Sequence, residues 1–176
     1  MITPADKMRI PLFSYGLLGL PLAFVAMPLY VHLPHLYATR HGMALSTLGS
    51  LLLMSRLLDA VIDPVLGRWG DHLYARSPRL AFGVGALSAL GLFLGMSVLF
   101  ASSWHPANQP LMLLAVLVAT YTAYSMLSIV HQSWGARLGG NETQRAQIVT
   151  WREGFGLVGV LTASVLPTWL GWGEWV

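Results

Sequence analysis

The chain has no cysteine and very little charge. Among 176 residues there are 10 Lys and Arg and 7 Asp and Glu, so only 10% are charged; a soluble domain carries about 25%. The missing cysteine excludes a disulfide framework and a thiolate metal centre. The scarcity of charge excludes a soluble globular enzyme and a disordered tail. The formal charge is +3, but the basic residues are scattered between apolar runs, which argues against nucleic acid as a partner. Low-complexity segments, a soluble domain and a clear internal repeat are also lacking. What fills the chain instead is apolar: 55% hydrophobic residues and a mean hydropathy of +0.61.

These residues come in long blocks. No Asp, Glu, Lys or Arg occurs between Arg9 and Arg40. A spanning helix needs about 20 apolar residues, and five such blocks are predicted, at residues 11–36, 45–66, 80–101, 110–134 and 149–172. Pro21, Pro28 and Pro34 interrupt the first. That block is too long for the apolar core of a signal peptide and no small-residue cleavage site follows it, so it reads as a retained span. Lipid leaves no backbone group open, so the spans are helices. The expected fold is all-α: a polytopic membrane bundle of about five helices forming one transmembrane domain over residues 1–176, with the lipid bilayer as its first partner.

The segments between spans alternate in charge. Lys7 and Arg9, then Arg68, Arg76 and Arg79, then Arg137 and Arg145 fall on one side; the other side has Arg40 alone. Positive residues favour the cytoplasm, which puts the N-terminus inside. Trp69, Trp104, Trp134, Trp169 and Trp172 fall near span ends, as an interfacial aromatic belt requires. Gly83, Gly85, Gly91 and Gly95 in span 3 and Gly154, Gly156 and Gly159 in span 5 permit close helix contact.

The chemistry concentrates in span 2. Arg56, Asp59 and Asp63 are spaced i, i+3, i+7 and form one stripe on a helix. A charge at the bilayer centre costs at least about 2.5–3.5 kcal/mol, so the stripe faces a bundle interior or a wet cavity. Arg56 compensates one carboxylate, leaving one net negative charge that suits a cation or a proton; the alternative is a structural ion pair. Pro64 removes a backbone donor and loosens the helix at its cytoplasmic end. In span 4, Tyr121, Tyr124, Ser128 and His131 share a face that reads as cavity lining, with simple packing as the alternative and His131 either titrating or structural. Arg152 and Glu153 open span 5, either as a snorkelling pair or as groups facing a substrate. His32, His35 and His41 gather near one span end, but Pro34 disturbs their helix and no carboxylate is near, so no metal site is expected.

The run Asp59-x-x-x-Asp63-Pro64-x-x-Gly67 with Gly70-Asp71 and a basic segment resembles the signature of the glycoside–pentoside–hexuronide:cation symporters, melibiose permease-like members of the major facilitator superfamily. Ser14-Tyr15-Gly16, Tyr124, and Arg152 followed seven residues later by Gly159 fit as well. The resemblance covers essentially the whole chain, as most of the N-terminal half of such a transporter, with the C-terminal half as a missing partner. It implies secondary active symport of a small solute, a sugar or glycoside, in a bacterial inner membrane. By the resemblance, Asp59 and Asp63 bind the coupling cation with Arg56 beside them, and Ser125 and Ser128 stand where span 4 completes the site. Arg152, Tyr124, Glu153 and His131 are implied on the substrate side, and the loop with Gly67 and Asp71 as a cytoplasmic gate. Several expected polar groups are replaced: Ile62 for an amide, Ser128 for an acid, Ala23 for the span 1 acid. Sodium wants several oxygen ligands, whereas a proton needs one desolvated carboxylate, so the departures favour the proton, and no other cofactor is implied.

Two other readings stay open. The chain, as five of twelve spans, could be a truncated, non-transporting fragment or an accessory membrane subunit. More remotely, Asp63, Gly67 and Asp71 resemble part of the aspartate element of CDP-alcohol phosphotransferases, but Ala75 stands where its next acid belongs.

Overall fold

The computed structural model describes residues 12–101, 108–139 and 141–169. Lys7, Arg9, Trp104 and Trp172, which entered the orientation argument, lie outside the described residues. Within them every regular element is helical. Five long helices follow the order of the five expected spans: α1 (Leu12–Thr39), α2 (Leu45–Arg76), α3 (Pro78–Ala101), α4 (Gln109–Leu138) and α5 (Glu142–Trp169). The first four are long and apolar enough to cross a membrane. α5 has 28 residues, but Glu142, Arg145, Arg152 and Glu153 crowd its first half.

The helices outrun the apolar blocks that announce them. α2 does not loosen and end near Leu66; Pro64 sits inside it and the helix continues to Arg76. Residues 67–71, expected as a loop, are therefore helical. Two glycines there cost about 1 kcal/mol each, which packing overrides. Gly70 is buried, and a Cβ on it would press on Ile129 of α4 at 2.8 Å. The junction to α3 is Ser77 alone, extended at φ −167° and ψ 125°. Pro78 forces that conformation on the residue before it and suits the first position of a helix. Arg68 and Arg76 thus ride on α2 and Arg79 on α3.

α5 starts at Glu142, seven residues before the expected 149, because Asn141 caps it. The Gln144 N–H donates to Asn141 Oδ1 at 2.8 Å, and the Asn141 N–H donates back to Gln144 Oε1 at 3.4 Å. This reciprocal box satisfies two donors that a helix start leaves open. Between α1 and α2 the chain turns at Gly42, whose φ of +62° disfavours a side chain.

α1 is broken where its prolines predict. Pro21 offers no N–H to Leu17 and crowds its carbonyl, and the pattern interrupts at Leu18. A π-helical stretch runs over Pro28–His32, and α-helix resumes at Leu33–Thr39.

The chain divides into two compact units. One joins residues up to His32 with those from His131 onward; the other is Leu33–Val130. In the first, the backbones of α1 and α5 touch. Cβ atoms built on Gly16 and Gly19 would lie 2.9 and 2.7 Å from the carbonyl oxygens of Trp151 and Arg152, and one on Gly159 would collide with the Leu20 carbonyl. Leu12, Tyr15 and Ile148 form a small core with Trp134 and Leu138 against it. In the second unit, Gly85 and Gly91 of α3 face Val130 and Ala123 of α4. Tyr37 donates to Leu99 O at 3.1 Å and Tyr74 to Val130 O at 2.8 Å. Gly83 and Gly154 face open space and have no such packing role.

The outer surface is apolar. Leu53, Leu57, Val61 and Val65, four residues apart on α2, are all exposed. In water such a stripe would drive association; against lipid chains it is the natural outer face. Asp59 and Asp63 lie on the opposite side of the same helix.

Candidate functional site

The α2 stripe and the middle of α4 meet within the Leu33–Val130 unit. Ser125 Oγ donates to Asp59 Oδ1 at 3.3 Å. Arg56 Nη1 lies 3.7 Å from Asp59 Oδ2, an ion pair rather than a hydrogen bond at that distance. The Arg56 guanidinium also lies over the Tyr121 ring, 4.6 Å from its centre. That ring is buried, so the contact lets a cation rest against an apolar helix, worth about 0.5–2 kcal/mol. Asp59 thus has a neutral donor on one oxygen and a cation near the other, and its side chain is only 13% exposed.

Asp63 differs. It lies one turn further along α2, half-buried, and its Oδ1 is enclosed with no hydrogen-bond partner among the described residues. Leaving a buried acceptor unmet costs about 1–3 kcal/mol. Pro64, next in the chain, also deprives the Ala60 carbonyl of its usual donor four residues on. The cluster therefore joins a compensated carboxylate to one with an open oxygen and a carbonyl short of a donor. A proton or a small cation would supply the missing partner. Ser128, one turn beyond Ser125, is half-buried and makes no hydrogen bond to either aspartate among the described residues.

The expected cavity face of α4 is mostly a packing face. Tyr121 and His131 are buried at 2% and 4% exposure, while Tyr124 and Ser128 are half-buried. In the other unit, His131 Nε2 donates to the Tyr15 carbonyl at 2.9 Å, and its ring lies against the Tyr15 ring at 4.3 Å. The break at Leu18 frees that carbonyl: the Leu18 N–H reaches it only at 3.3 Å. His131 therefore stitches α4 to the broken start of α1.

Arg152 and Glu153 pair with each other. Arg152 Nη2 and Nε both donate to Glu153 Oε1, at 2.6 and 3.0 Å. Gly19 seats the Arg152 backbone against α1, and the side chain points into a cavity of about 500 Å³ that Tyr15, Gln132, Ser133 and Arg145 also line. His131 and Glu153 are not in that lining. Position 23, where the resemblance placed an acid, is part of the α1–α5 contact: a Cβ on Gly156 would lie 3.8 Å from Ala23 Cβ. Gly67 and Asp71, expected as a loop gate, lie on α2.

Helix spacing pointed to the Arg56–Asp59–Asp63 stripe. It carried no sign of the Arg56–Tyr121 contact or of the cavity beside Arg145, because both join residues far apart in the chain.

With polar groups held this way inside apolar helices, the comparison with known proteins is decisive on class. Residues 12–174 match the family described as MFS/sugar transport protein. The chain belongs to that family. It is an integral membrane protein of the major facilitator superfamily, and the match points to a transporter rather than to a membrane phosphotransferase. No solved structure matches it. Transporters of this superfamily place their sites near the bilayer midplane between repeats; Asp59 and Ser125 lie near the middles of α2 and α4.

Proposed function

We propose that the chain is the N-terminal part of a melibiose permease-like symporter that couples a proton, more readily than sodium, to uptake of a sugar or glycoside-like solute. The observation that carries this is the Arg56–Asp59–Ser125 cluster beside the open Oδ1 of Asp63. Asp63 is the group that takes the proton. Asp59 responds to it through Arg56, and Ser125 and Ser128 line the approach from α4. Sodium is disfavoured because it wants several oxygens, and Arg56 already stands beside one carboxylate.

On the solute side, Arg152 offers its guanidinium and Tyr124 its ring and hydroxyl. Glu153 holds Arg152 until solute arrives, and His131 acts by fixing the start of α1. All five helices cross the membrane, α5 with its charged turns at the cytoplasmic end. Clustered arginines at the α2–α3 and α4–α5 junctions, against Arg40 alone at α1–α2, support a cytoplasmic N-terminus. The reading places the protein in a bacterial inner membrane, working with a C-terminal half on the other side of the site.

The test is uptake of a panel of labelled glycosides by the intact transporter in proteoliposomes. An imposed inward proton gradient is expected to drive accumulation without sodium. Accumulation that needs a sodium gradient and ignores pH would overturn the choice of ion. No accumulation under either gradient would overturn symport.

A further inference from the structure

We propose that the cavity shared by α1, the end of α4 and the start of α5 is a binding site for a phosphate-bearing anion. The cavity measures about 500 Å³, well above the ~30 Å³ that one water takes up in the liquid. Among the described residues two cations line it, Arg145 and Arg152, and no carboxylate does. They stand seven residues apart on α5, two turns on one face and about 10 Å along the axis. Long arginine side chains close that gap around one ligand.

The state of the two arginines differs. Arg152 is already engaged by Glu153 at 2.6 Å. The Arg145 guanidinium has no hydrogen-bond or ion-pair partner among the described residues, although Glu142 stands one turn before it on α5. A guanidinium fork matches phosphate oxygens in pairs. The Tyr15 hydroxyl already accepts from Arg152; the Ser133 hydroxyl and the Gln132 amide in the lining add neutral donors, and a group with several anionic oxygens satisfies more of these than a single carboxylate can.

The rest of the wall is apolar. Ile148 and Val149 also line the cavity, which suits the carbon attached to a phosphate. Basic pockets between membrane helices on the cytoplasmic side commonly hold anionic headgroups. The ligand is thus an anionic lipid headgroup or a soluble phosphate.

The site shares Arg152 with the solute position proposed above, so its test reads binding and needs no transport. The intact protein is purified, and retained lipid is counted by native mass spectrometry with phosphatidylglycerol against phosphatidylcholine. Inorganic phosphate is titrated separately by calorimetry. Preferential retention of phosphatidylglycerol identifies the headgroup; binding of inorganic phosphate alone identifies a soluble ligand. In either case Arg145→Gln is expected to weaken binding about tenfold, as loss of one charged hydrogen-bond partner does. Arg145→Lys retains part of the binding and shows that the fold tolerates change there. Arg79→Gln, an exposed arginine on α3 outside the cavity, serves as the control for general charge. Equal loss in Arg145→Gln and Arg79→Gln, or no binding of either probe, would overturn the proposal. Failure of the symport reading leaves these measurements unaffected.

Discussion

The two units place charge among apolar helices in opposite ways. In the Leu33–Val130 unit, an arginine and two aspartates share a stripe. Arg56 lies against Asp59 and Tyr121, Ser125 completes Asp59, and only Asp63 keeps an open oxygen. In the unit of α1 and α5, the charges lining the cavity among the described residues are both positive, and Glu153 neutralises one from outside. The helix contacts differ too. α1 and α5 touch backbone to backbone through glycines, whereas α3 and α4 meet glycine to side chain. A bare charge in lipid costs several kcal/mol; on the readings proposed above, a proton or cation would cancel the charge of Asp63 and an anion that of Arg145.

The sharpest way to break this contrast is to remove the open carboxylate. Asp63→Asn is expected to abolish gradient-driven accumulation, leaving at most equilibration of solute, in proteoliposome uptake by the intact transporter. Asp59→Asn should also uncouple uptake, whereas Glu142→Gln at the exposed start of α5 should not. If all three behave alike, the stripe is not the coupling site.

The packing contrast comes next. Gly159→Leu forces a side chain into the Leu20 carbonyl and should destabilise the protein by about 1–3 kcal/mol or more. Gly154→Leu faces open space and should change thermal unfolding in detergent little. A smaller effect separates the arginines. A double-mutant cycle on Arg56→Leu and Tyr121→Leu should give a coupling of about 0.5–2 kcal/mol. The same cycle on Arg79→Leu, at the other end of the same unit, and Tyr121→Leu should give none. Smallest is the cap: Asn141→Ala should cost about 1 kcal/mol, read as earlier fraying of α5 in hydrogen exchange.

Much of this was legible in the residues. Five apolar blocks gave five helices, because a polar backbone in lipid has few other options. The α2 stripe followed from 3.6-residue spacing alone. The helix ends were missed where local chemistry overrode hydropathy. The Asn141–Gln144 box is present in the residues, but the charged first turns of α5 put the start of the apolar block seven residues later than the helix. Residues 67–71 have two glycines and look like a loop, but contact between Gly70 and Ile129 keeps them helical. His131 and Tyr121 looked like cavity residues because polar aromatics in a span suggest water. Their burial depends on Tyr15 and Arg56, more than 60 positions away.

The sequence alone decided that the protein lives in lipid, that it is all-α, and that one helix carries three charges on one face. Those properties depend on composition and on a fixed helical period, which need no partner. Tertiary structure alone decided which charge is left open. Ser125 and Tyr121 compensate Asp59 and Arg56 from another helix; among the described residues Asp63 receives nothing comparable and Arg145 stands without a partner on a cavity lined by α1, α4 and α5. A compensated charge and an open one are identical residues in the chain; only the neighbours that folding brings within a few ångströms separate them, since in a dry interior an unmet polar group has no water to turn to.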